Sequence, residues 1–175
     1  MGPVLLLGGH RPGRRGDAAA VVVGGARSIV TTPPGETDLT RLLGALTATV
    51  REGSYAVART DEPVSVGDGV DALVVEAEGV TVVASLEVAE ARGWEIAFVG
   101  RWVTLDVHSS LAAVGLTAAV AAAFAEQGIP CNVLAGYFHD HLLVPPDRLD
   151  DALAAIDRLR TGRGAPAPPQ GRRGV

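Results

Sequence analysis

The apolar positions of this chain repeat at helical spacing in some stretches and alternate in others. Leu39, Leu42, Leu43 and Leu46 fall at i, i+3, i+4 and i+7, which predicts a helix with one apolar stripe. Thr37 or Asp38 stands where a side chain can cap its open N–H groups. Gly53 ends the connection that follows, and residues 54–59 alternate as a strand does, with Tyr55 and Val57 on one side. Residues 61–69 hold Asp61, Pro63, Gly67 and Gly69 and read as a loop. Two β-rich runs, 72–77 and 80–84, are separated by Glu78 and Gly79, a hairpin signal. Ser85 then caps a short helix ending at Arg92 and Gly93.

The second half opens with a strand over residues 94–107, in which Val103, Leu105 and Val107 alternate with Trp102, Thr104 and Asp106. A helix over 115–127 carries Leu116, Val120 and Phe124 on one stripe, and Gly128 stops it. Residues 129–137 read as a strand with Ile129, Cys131, Val133 and Ala135 on one face. A turn at 138–140 leads to a strand at 142–144. Pro145 and Pro146 open a last helix with Leu149, Leu153 and Ile156 as its stripe.

The order is α-β-β-β-α in the first half and β-α-β-β-α in the second. Each approximates the βαββαβ unit of ferredoxin-like folds with an edge element missing. Two such units that share or exchange strands make one antiparallel sheet with helices on one face, an α+β architecture. The expected units are residues 37–100 and 101–160. Residues 1–36 read as a tail, disordered or the product of an over-long gene start, and 161–175 as a disordered tail of linker composition.

Composition narrows the function classes. The chain has 175 residues, 47% hydrophobic and 20% charged, which suits a packed globule and excludes wholesale disorder. A net charge of −5 argues against a general binder of nucleic acid or anionic membranes. All 15 basic residues are Arg, so a phosphate-cradling lysine loop and lysine Schiff-base chemistry are excluded. No G-x-S-x-G elbow is present. Cys131 stands alone, so neither an internal disulfide nor a thiolate metal cluster can form, and its alternation marks it as a core thiol. The apolar run 18–26 is nine residues long, against the roughly 20 that a spanning helix needs. Arg14 and Arg15 precede it as in an export signal, but Asp17 and two glycines interrupt the region. The expected location is cytoplasmic.

The polar outliers gather in two places. His108, Ser109 and Ser110 lie between a strand and a helix, where hydroxyls and free N–H groups meet the positive helix end and suit a carboxylate. Equally, a serine there simply caps a turn. The second place is Tyr137, Phe138, His139, Asp140 and His141. His139 and His141 are two apart and would share one face of an extended strand, so with His108 they could ligate a divalent metal. Alternatively this is a solvated hairpin turn. A third reading makes Asp140 the counter-charge of a ligand ammonium, with Tyr137 or Phe138 as an apolar wall. Trp94 and Trp102 read as core or interface anchors.

The ordered set of Val107 to Leu111, Val114 to Ala119, Gly128 and Ile129, Cys131 to Val133, Ala135 to Tyr137, His139 to Leu142 and Val144 with Pro145 resembles small bacterial ACT-domain proteins. These are chains of two ACT-like units, similar to the regulatory part of aspartate kinases. Tyr137 to Pro145 also resembles the Phe/Tyr-x-x-Asp-His-x-Leu-Val-Pro pattern of the CASTOR arginine sensors. The resemblance covers about residues 36–160 and is dense from 103 to 145.

The resemblance implies ligand binding without catalysis and without a cofactor. ACT units hold small amino acids at the turn between first strand and first helix, against the next strand, at a unit–unit interface. Carried onto this sequence, the turn contributes Ser109, Ser110, Leu111, Val114, Gly115 and Leu116. The facing wall is Asn132, Val133, Leu134, Gly136, Tyr137 and Asp140. The helix-start N–H groups suit the ligand carboxylate and Asp140 its ammonium. His139 stands where the sensors look more aromatic, so arginine specificity does not transfer. The expected partners are a small amino acid, a second copy in a homodimer and a regulated protein. The alternatives are the His108, His139 and His141 metal site and a ligand-free oligomerisation module.

Overall fold

The computed structural model describes residues 35–162, and the readings made for 1–34 and 163–175 lie outside the described residues. Helix α1 spans Leu39–Gly44, with the Asp38 carboxylate accepting from the Arg41 N–H at 2.9 Å. The strands β1 (Ala48–Val50), β2 (Tyr55–Thr60), β3 (Val70–Glu76) and β4 (Gly79–Ser85) follow. Helix α2 (Leu86–Ala91) is capped by Ser85, and β5 (Glu95–Leu105) comes next. The chain then forms α3 (Leu116–Ala125), β6 (Asn132–Ala135), β7 (Asp140–Val144), a 3₁₀ turn at Pro146–Arg148 and α4 (Leu149–Arg160).

All seven strands belong to one antiparallel sheet, ordered β3-β4-β2-β5-β7-β6, with β1 also paired to β5. The eleven-residue β5 joins the two halves. Its first part pairs with β2, from Glu95 opposite Arg59 to Gly100 opposite Tyr55. Its second part pairs with β7 on one edge and with β1 on the other, Val103 facing both Leu142 and Val50. In the second half β1-β5-β7-β6 has the spatial order of a complete βαββαβ unit whose last strand comes from upstream in the chain. In the first half β3-β4-β2-β5 has the same order, with residues 61–69 in place of the first helix.

Two expectations change at the sheet edges. The connection before Gly53 contains a strand, β1, too short for its own pattern to reveal. It forms because the edge of β5 is there to pair with, and two further bonds extend it, Asp106 N–H to Thr47 O and Arg51 N–H to Trp102 O, both 2.9 Å. The strand expected over 129–137 shrinks to Asn132–Ala135. The Ile129 N–H bonds back to Phe124 O and so belongs to the helix end, and Pro130 has no N–H to give. Within this stretch Ile129 is buried, Cys131 half-buried, and Val133 and Ala135 exposed. Burial pushes the Cys131 thiol up to about 11, so it stays protonated.

The helices cover one face of the sheet. Leu42, Leu46, Leu116, Val120, Phe124, Ala152 and Ile156 pack on Val103, Leu105, Leu142 and Val144. Ala89 of α2 packs with Ala56, Ala58, Val82, Ala84 and Trp94. The opposite face has its own small core of Tyr55, Val83, Trp102 and Leu143, bordered by Ala72 of β3 and Leu134 of β6. Residues from both outer edges of the sheet, Ala72 and Leu134, thus border one cluster on this face. Arg51 sits on this core, its guanidinium 4.9 Å from the Tyr55 ring centroid and 4.7 Å from that of Trp102.

Because β5 belongs to both halves, Phe124→Ala, which empties a fully buried site in the second half, should cost about 3–5 kcal/mol throughout the sheet. Urea unfolding followed by Trp94 fluorescence in a Trp102→Phe background should show the whole loss. An unmoved Trp94 transition would mean that the halves unfold separately.

His141 lies on the helix-free face, with Nδ1 3.0 Å from the Thr104 hydroxyl and its ring 5.1 Å from that of Trp102. Burial lowers its pKa below the ordinary 6.5, with His139 and Arg51 adding to the shift and Asp140 opposing it. The unfolded chain therefore takes up a proton before the folded one does. The contribution of neutral His141 to stability should be present above 6.5, its ordinary value, and be lost as pH drops below it. His141→Gln should flatten that part of a plot of unfolding midpoint against pH.

Candidate functional site

The corner after β5 is built by backbone bonds. The Ser109 N–H bonds Val107 O at 3.0 Å, and the Ala113 N–H bonds Ser110 O at 2.8 Å. Ser110 is buried, and its hydroxyl oxygen accepts from the Ala112 N–H at 3.2 Å. The hydroxyl proton remains to be donated. Gly35 and Glu36, assigned to the leading tail on composition, lie against this corner: Glu36 N–H bonds His108 O and Ser110 N–H bonds Glu36 O. A Cβ on Gly35 would fall 2.5 Å from Ser110 N, so no larger residue fits without a shift.

Gly115 starts α3 with a φ of 108°, in the region that favours glycine, and offers no side-chain cap. The first N–H groups of α3 thus have no capping side chain and lie beside the corner. Thr117, in the first turn, donates its hydroxyl to Asp140 Oδ2 at 3.0 Å. Asp140 opens β7 opposite Ala135, on the helix-covered face, at the end of the β6–β7 hairpin. The hairpin turn is closed by the Gly136 N–H bonding His139 O at 3.0 Å.

These elements enclose a hollow of about 120 Å³ lined by Ser109, Ser110, Leu111, Ala113, Leu116, Thr117, Ala135 and Asp140. The serine corner and the aspartate hairpin, some thirty positions apart in the chain, therefore share one space. Of the residues expected here, Ser109, Ser110, Leu111, Leu116 and Asp140 line it. Gly115 contributes backbone geometry. Val114 is 84% exposed and does not line the hollow. Asn132 and Val133 are exposed on β6. Leu134 and Gly136 line a different hollow, on the other face of the sheet. Tyr137 is exposed and packs edge-on against Phe138, 4.8 Å between ring centroids, and neither ring lines the space.

Three lining residues were absent from the expected set. Ala113 and Ala135 leave the room that a larger side chain would fill. Thr117 was legible as a hydroxyl in the first turn of a helix, but only the fold sets it against Asp140.

The histidines diverge. His139 precedes β7, and its Nδ1 is 3.2 Å from Val107 O. His141 turns to the helix-free face toward Thr104 and Trp102. The hairpin turn breaks the alternation that would have put both on one face. His108 and His139 rings are 6.4 Å apart, and among the described residues no three His, Cys, Asp or Glu side chains are gathered as a metal ion requires. A roomier groove of about 410 Å³, between residues 46–48 and α4, is walled by apolar side chains and by an Asp157–Arg160 pair already bonded to each other.

The hollow therefore brings a buried hydroxyl, the uncapped start of a helix and a carboxylate to one small space. That set suits a small molecule carrying both an acceptor and a donor.

Comparison with known proteins agrees with this architecture. Residues 34–101 and 98–158 each match a family model described as ACT domain. VC0802 of Vibrio cholerae, a protein of unknown function described as a possible transport protein, is 36% identical with a TM-score of 0.62, covering 70% of this chain and 95% of that one. Atu0741 of Agrobacterium tumefaciens is 19% identical with a TM-score of 0.54, covering 66% and 89%, and shares the fold. The ligand-free regulatory subunit of aspartate kinase from Thermus thermophilus is 14% identical with a TM-score of 0.49, covering 66% and 97%. No curated protein matches the sequence. No helix among the described residues is long and apolar enough to cross a membrane. With two consecutive domain matches that overlap within the shared strand β5, this chain belongs to the ACT-domain family and carries two ACT units in tandem.

Proposed function

We propose that this protein is a non-catalytic regulatory module that binds a small amino acid in the hollow between the Ser109–Ser110 corner and Asp140. ACT domains have a regulatory, small-ligand-binding role. One observation carries it: Ser110, the start of α3, Thr117 and Asp140 line the same small space. An α-carboxylate at the helix start gains N–H donors, the local dipole and the Ser110 hydroxyl. An α-ammonium beside Asp140 replaces the Thr117 hydroxyl as its donor or joins it. Each charge-assisted bond contributes about 1.5–3 kcal/mol. Two of them together contribute about 3–6 kcal/mol, which corresponds to a Kd between about 10 mM and tens of micromolar, weak binding suited to a metabolite gauge. The space of about 120 Å³ favours short side chains over a long one such as arginine.

The reading includes a second copy of the chain. The β6 edge pairs with β7 alone, and its four residues, Asn132 to Ala135, carry no charge to keep another strand away. Val133, Tyr137 and Phe138 stand exposed beside it. Pairing of β6 with its copy about a two-fold axis would cover them and wall the hollow on its open side.

Calorimetry against the twenty amino acids at millimolar concentration should find heat with small ones. Asp140→Ala should weaken that binding by about 10-fold or more. An unchanged Kd would remove Asp140 from the site, and no heat with any amino acid would remove the ligand. Sedimentation of the wild type should give a dimer, and Val133→Asp should shift it toward monomer. A wild-type monomer at all concentrations would count against the β6 interface, and a dimer that binds nothing would favour a ligand-free module.

A further inference from the structure

The helix-free face carries a second hollow, of about 290 Å³, between the two outer edges of the sheet. Asp71 and Ala72 of β3 wall it on one side, Leu134, Ala135 and Gly136 on the other, with Trp102 and His141 between. Asp71 is the extra residue of a β-bulge, since Val70 pairs with Ala84 and Ala72 with Val83. A bulge re-aims side chains, and this one turns an acidic group into the hollow. Arg51 bonds Asp71 Oδ1 at 2.9 Å while stacked over Trp102 and Tyr55. The pair is partly exposed, 44% for Arg51 and 23% for Asp71, so it opens at little cost. The Trp102 indole is 5% exposed, and its buried Nε1–H has no acceptor among the described residues. His141 lends its Nδ1 to Thr104, and Gly136 lies close against its Nε2, where a Cβ would approach to 3.2 Å.

We propose that this hollow is a second ligand site, separate from the one at Asp140, and that it takes a small zwitterion. Arg51 holds the carboxylate in its planar fork, Asp71 holds the ammonium, and Trp102 with Leu134 covers the carbon skeleton. The opposite charges of Arg51 and Asp71 cancel, so a simple anion or cation would leave one of them unpaired. A molecule bearing both charges satisfies both. The site is on the opposite face of the sheet from Asp140, so it stands whether or not an amino acid binds there.

The test uses the full-length ¹⁵N-labelled protein and the indole N–H resonance of Trp102, assigned with Trp94→Phe. Glycine, β-alanine, methylamine and acetate are added separately at equal ionic strength. Glycine or β-alanine should move the resonance saturably, and methylamine and acetate should not. The response should persist in Asp140→Ala, and its midpoint should rise about 10-fold or more in Asp71→Asn and in Arg51→Gln. Asp71→Asn keeps the shape of the bulge residue, so its loss of response reports charge rather than folding. A Trp102 resonance that none of the four moves would overturn the proposal. So would equal unsaturable shifts with all four, or a response that Asp140→Ala abolishes and Asp71→Asn leaves intact.

Discussion

The pairing of β5 with three other strands is the constraint on which the rest of the molecule depends. Val103 sits in the middle of it, opposite Val50 of β1 on one edge and Leu142 of β7 on the other, with its side chain fully buried under the helices. Trp102, one residue earlier, faces the opposite way and anchors the small helix-free core. A slip of one residue in this strand would exchange those faces and expose the core residues of both ACT units together. Sharing the strand also dispenses with a linker between the units.

The same register places the functional groups. The end of β5 delivers the Ser109–Ser110 corner to the start of α3, and the pairing of β7 with β5 brings Asp140 to that corner from the side. The β6–β7 hairpin then stands between two hollows. Asp140 faces one and His141, its neighbour in the chain, faces the other, while Ala135 borders both. Physically this is a two-faced wall of four paired positions at the sheet edge, held by β7 alone.

Much of the fold was legible because local signals agreed with it. The Leu stripe and Asp38 cap of α1, the Glu78 and Gly79 signal of the β3–β4 hairpin, the Ser85 cap of α2 and the Gly128 stop after α3 each carry their own physical reason in a few residues. The element order also pointed to shared strands. The errors fell at edges, where a strand exists only by virtue of its neighbour: β1 has three residues with no pattern of their own, and β6 lost its ends to Pro130 and to the helix terminus at Ile129.

For the candidate site, the residue pattern singled out serines before a helix and an aspartate in a hairpin. It also determined the α+β class, through periodicity. That Thr117 bonds Asp140, that Ala113 and Ala135 line the same space, and that Leu134, Gly136 and His141 belong to the other face came from the packing of distant elements. The physical reason is that periodicity encodes which way a side chain points along its own element. Which distant element it then meets depends on sheet register and winding, and those are set by packing of the whole chain.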